Sequence, residues 1–104
     1  LLANAGEAPA REVLARKLAD PDFARRGQAA VALARLGDAR AAAWIGEGLV
    51  SSDSEERRWA LAVCGALPGE AKGHLAQIAK LVRDEAPKVG LTAKAVLLGM
   101  EGTP

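Results

Sequence analysis

The sequence predicts an all-α protein in which helix pairs follow one another every 31–33 residues and stack into an α-α superhelix, without strands. Three observations carry that expectation. Half of the 104 residues are hydrophobic, yet there is one Phe and no Tyr. The apolar content is mostly Ala, Leu and Val, which suits closely approaching helices and not sheets. Next, Arg26, Ala29, Leu33 and Leu36 recur 31 residues on as Arg57, Ala60, Cys64 and Leu67, and 33 further on as Gly90, Ala93, Leu97 and Met100. That spacing follows one face of a helix. Last, a second stripe runs between the first: Leu14 and Leu18, then Ile45 and Leu49, then Ile78 and Val82, at the same two shifts.

Each element has its own signals. The first helix is expected over about 8–19. Asp20 before Pro21 reads as an N-cap with proline in the first turn, which opens a helix over 22–36. Gly37 closes that helix, and 39–50 carries the second stripe. Ser52 with Glu55, and Asp53 with Glu56, read as capping boxes for a helix over 54–67. A helix over 71–83 follows Gly69, and Pro87 suits the first turn of the last, 87–99. Gly6, Gly37 and Gly69 are expected as left-handed helix stops. Short connections make neighbouring helices antiparallel. The array divides into units of approximately 8–36, 39–67 and 71–100, one domain over 1–104. Because Leu2, Gly6 and Glu7 match Leu33, Gly37 and Asp38, the chain is expected to enter its repeat midway, as a piece of a longer array.

An acidic turn, an Arg, an Ala-Leu stripe, Gly-Asp and then a second helix make a recognisable unit. "RRGQAAVALARLGD" (25–38) and, less fully, "RRWALAVCGALPGE" (57–70) carry it, while "KVGLTAKAVLLGM" (88–100) lacks the Arg. The unit resembles the HEAT-like repeats of phycobilisome-lyase type. The resemblance implies an armadillo-type α-solenoid with a curved exposed surface. Proteins of that kind include scaffolds, bilin-lyase subunits, a hydroxylase with His-Glu metal motifs, and DNA glycosylases of related architecture.

Charged residues that recur with the structural period read as structure. Arg26 and Arg57 are expected to form a ladder with turn groups such as Asp20, Asp22, Asp38 and Asp53, tying one repeat to the next. Arg16, Glu47 and Lys80 fall at equivalent positions of successive second-type helices and read as a ridge of inter-repeat salt bridges, plus, minus, plus. Residues that break the period are the better candidates for recognition. Trp44 aligns with Val13 and Gln77 and is expected to be half-buried, as a partner anchor or as a flank residue packed between helices. Trp59 aligns with Gln28 and Thr92 and reads as inter-repeat packing. Cys64 replaces Leu33 and Leu97 in the core stripe and reads as a small hydrophobe. His74 stands alone, with no metal-ligand spacing around it. Gly46 and Gly48, inside a helix, mark a close approach of helices.

The function these residues predict is a protein-interaction or scaffolding module without catalysis of its own. Trp44 would sit at the centre of the binding face, with Arg11, Arg16, Arg40, Glu47 and Lys80 around it. No catalytic, cofactor-binding or metal-ligating set is expected, and no cofactor. The alternatives are a bilin-lyase-like subunit holding a chromophore and its acceptor, and a nucleic-acid-binding domain. The formal net charge of +1 speaks against nucleic acid. No apolar run reaches the ~18 residues that span a bilayer. The single cysteine excludes an internal disulfide. A cytoplasmic protein that binds another protein, or itself through uncapped ends at Leu97, Leu98 and Met100, is the resulting expectation.

Overall fold

A computed structural model describes residues 2–101, and the side chains of residues 2–8, 23 and 101 lie outside that description. The described residues are helical and contain no strand. In chain order they form α1 (Leu2–Lys17), α2 (Phe23–Arg35), a 3₁₀ segment (Ala39–Trp44), α3 (Ile45–Leu49), α4 (Ser54–Ala66), α5 (Pro68–Ala71), a second 3₁₀ segment (Lys72–His74), α6 (Leu75–Leu81) and α7 (Pro87–Glu101).

The long helices begin and end for local reasons. At α2 the cap is Asp22, whose Oδ1 accepts from the Ala24 amide at 2.9 Å. The cap thus falls two residues after Asp20, the cap expected, and Asp20 accepts from the Asp22 amide instead. At its other end α2 finishes in a Schellman motif. Gly37 takes φ +76°, the Gly37 amide donates to the Ala34 carbonyl, and the Asp38 amide donates to that of Leu33. Asp53 caps α4 by accepting from the Glu55 amide at 2.8 Å. The capping boxes do not close as written in the sequence, because Glu56 accepts from the Ser51 hydroxyl rather than returning to the cap.

Two of the three expected helix stops are overturned. α1 runs through Gly6 and Pro9. Ala3, Ala5, Ala8 and Ala10, all strong helix formers, flank both breakers. Gly69 lies inside α5, since Pro68 occupies the first helical position and restarts a helix directly after Leu67. Nor are the helices expected over 39–50 and 71–83 continuous. Each opens with a tight 3₁₀ stretch or a single α-turn before settling into α3 or α6.

α4 occupies the middle of the packing. It lies against α2, α3 and α7; α1 packs on α2, the first 3₁₀ segment on α2, and α6 on α7. Leu33, Ile45, Leu49, Leu61, Val63, Cys64, Ile78 and Val89 fill the interior without exposure to water. The result is flat, with extents of 43 × 36 × 20 Å.

Candidate functional site

Arg26 and Arg57 take the same post, one turn into α2 and α4. Arg26 donates to the Asp20 carbonyl at 2.7 Å, and Arg57 to the Ser51 carbonyl at 2.8 Å. Both acceptors lie six residues upstream. Arg57 adds a bidentate grip on the Asp84 carboxylate, Nε to Oδ2 at 2.8 Å and Nη2 to Oδ1 at 3.0 Å. Asp84 belongs to the turn before α7, so this pair ties the start of α4 to the start of α7. The two side chains are 11% and 7% exposed, and the guanidinium holds the Asp84 carboxyl below the usual carboxylate range.

Asp84 was not among the acids that the sequence pointed to, although the shifts of 31 and 33 lead from Asp20 through Ser51 to Asp84. Each of these three side chains accepts the amide two residues on. Asp53 serves α4 as its cap, and Asp38 serves a different arginine. Arg40 grips Asp38 through Nε and Nη2, the closest contact being 2.7 Å, and reaches Glu12 of α1 at 3.3 Å. Hydrogen bonding from Arg40 pulls the Asp38 carboxyl down to about 2. Arg11 sends Nη2 to the Leu36 carbonyl at 3.0 Å, where a cation meets the C-terminal end of α2.

These placements redraw the expected binding face. Trp44 is not half-buried; it is 4% exposed and belongs to the core. Two glycines make its slot. A Cβ at Gly27 would stand 2.9 Å from Trp44 Cζ2, and one at Gly48 would overlap the same indole and come 2.7 Å from the Ala60 Cβ. Arg11 is half-buried and tied to the Leu36 carbonyl of α2, while Arg40 is exposed and engaged with Asp38 and Glu12. Arg16, Glu47 and Lys80 are exposed, and no ion pair joins them among the described residues. Glu47 instead borders a groove of about 350 Å³ with Arg26, Trp44, Leu18 and Ala43.

Trp59 is the half-buried tryptophan. Its ring lies across Gly27 of α2, where a Cβ would stand 2.7 Å from Trp59 Cε3. It borders a groove of about 480 Å³ on the side of the protein formed by α2, α4 and α7. Val31, Ala32 and Ala62 are the small apolar residues of its lining; Gln28, Arg35, Arg58 and Thr92 are the polar ones. Arg58 pairs with Glu55 one turn before it on α4. Arg35 closes α2, is exposed, and its side chain makes no hydrogen bond or ion pair among the described residues. The signal for this groove was in the repeat: Gln28, Trp59 and Thr92 are equivalent positions, and so are Val31 and Ala62.

Cys64 is fully buried, and desolvation pushes its thiol up to about 11. At neutral pH it is a protonated core residue, with no thiolate to act as nucleophile. His74 lies near Gly46. Among the described residues no group of three or more His, Cys, Asp or Glu is placed to hold a metal ion. No helix of the described residues is long and apolar enough to cross a membrane. No protein-family model, curated protein or solved structure matches the chain.

Proposed function

We propose that the chain is a protein-interaction module, a stretch of HEAT-like α-solenoid that presents one side of its stacked helices to a polypeptide. The observation that carries the proposal is the 480 Å³ groove across α2 and α4, with a half-buried tryptophan in its wall. Trp59 offers a large amphipathic surface that is already ordered by packing on Gly27, so its burial against a partner costs little side-chain entropy. The mixed lining, apolar and polar side chains together, has the character of a protein-binding patch.

Support for the solenoid comes from the repeat arithmetic together with the order of packing. α2, α4 and α7 follow one another, each backed by a second-type segment, and equivalent arginines in α2 and α4 bind equivalent turn carbonyls. Repetition of this kind lets each unit cover its neighbour's apolar face.

Selection of random dodecapeptides on the immobilised chain tests the function. Peptides are expected that bind the protein and lose binding to a Trp59→Ala variant whose circular dichroism is unchanged. Recovery of no peptide, or only of peptides indifferent to Trp59, overturns the reading.

A further inference from the structure

The groove beside Trp59 is charged on one side of the scale only. Its titratable lining residues are Arg35 and Arg58, and no Asp or Glu lines it. Around it the same sign prevails. Lys17 and Arg25 border the adjoining groove, which meets the first at Gln28, and Lys88 borders another that meets it at Arg58. Three acids stand in this neighbourhood. Asp20 is turned to the Asp22 amide, Asp22 to the Ala24 amide and Arg25, and Glu55 to Arg58. Arg35 has no such partner among the described residues. A whole chain of net charge +1 thus concentrates cations along one groove.

We propose that this groove takes an acidic polypeptide segment with an apolar or aromatic side chain among its carboxylates. The inference rests on the protein-binding reading above and adds the chemistry of the partner. The apolar side chain would lie on Val31, Ala32 and Ala62 beside the Trp59 ring, and the carboxylates would reach Arg35 and Arg58. Arginine's planar fork suits carboxylates, and at Arg35 no intramolecular ion pair has to break first. Nucleic acid fits less well: of the cations along these grooves Arg25 and Arg58 are already paired with Asp22 and Glu55, and Asp20 stands among them, whereas affinity for a phosphate chain grows with each phosphate neutralised.

The experiment reads the composition of the dodecapeptides selected on the wild-type chain, then measures one of them by fluorescence anisotropy. Enrichment in Asp and Glu is expected, with weaker binding as salt screens the contacts. Arg35→Glu should weaken binding about tenfold, the size of a lost charge-assisted contact. Gln28→Glu, also an exposed position that adds an acid to the groove, should weaken it in the same direction. A set of Trp59-dependent peptides without acidic enrichment, or binding unchanged in both variants, overturns the acidic partner while leaving the interaction module standing. A fluorescein-labelled single-stranded DNA 20-mer that binds more tightly than the selected peptides and is displaced by Arg35→Glu would also overturn it, in favour of nucleic acid.

Discussion

Gly27 lies between two indoles, and its missing side chain sets where both rings go. A Cβ there would meet Trp59 Cε3 at 2.7 Å and Trp44 Cζ2 at 2.9 Å. Trp44 has little room to retreat, because it lies close against Gly48 as well. An exposed helical Gly→Ala change usually gains up to about 1 kcal/mol from propensity. Here overpacking should reverse the sign, and Gly27→Ala is expected to destabilise by about 1–3 kcal/mol in urea unfolding; a gain would show that the rings are not confined. Arg57 is the second residue on which much rests. It satisfies the Ser51 carbonyl and the nearly buried Asp84 carboxylate at once. Arg57→Ala leaves both without that donor and is expected to cost on the order of 2–4 kcal/mol in the same measurement. A loss below about 0.5 kcal/mol would mark the pair as no stronger than a surface contact.

At the scale of elements, the helices split into two groups by how well the sequence announced them. α2, α4 and α7 were legible nearly to the residue, because their stripes have the helical period and their ends carry Asp caps, Gly37 or Pro87. The second-type helices were not, since apolar spacing reports which face is buried but not whether the backbone bonds three or four residues back. Trp44 was misplaced for a related reason. Its slot combines Gly48, one turn away on the same segment, with Gly27 on another helix, and only the fold brings the two together. Gly90 is the converse case, flagged by the repeat and then explained by packing. It replaces the Arg of the other units because a Cβ there would stand 2.9 Å from the Val82 carbonyl oxygen, a backbone atom that cannot swing aside. Restoring the repeat with Gly90→Arg is therefore expected to push α7 off α6 and lower the melting temperature, despite matching Arg26 and Arg57. The join between α1 and the 3₁₀ segment makes a pH prediction. Hydrogen bonding from Arg40 lowers the Asp38 carboxyl from an ordinary 3.8 to about 2, and Asp84 is lowered by Arg57. Between those values the unfolded chain binds the extra protons, so their stabilisation is present above about pH 4 and is lost as pH falls toward 2. Urea midpoints measured across that window should fall with acid, and less steeply in Asp38→Asn.

For the whole molecule, the central place of α4 implies that its opening requires the rest to come apart. It packs on α2, α3 and α7, and Ala60, Leu61, Val63 and Cys64 are all fully buried. Segments covered on one side open more easily than one covered on both. Cys64 turns that into a measurement. Its sulfur is inaccessible in the folded chain and its thiol is held near 11, so a thiol reagent must wait for α4 to open and the thiol to return to ordinary acidity. Labelling of Cys64 under native conditions is expected to proceed with the free energy of global unfolding and to keep pace with exchange of the α4 amides, while amides of α6 and the end of α7 exchange faster. Labelling that outpaces global unfolding would mean that α7 can leave α4 while the remaining helices hold, making α6 and α7 a separately opening part of the protein.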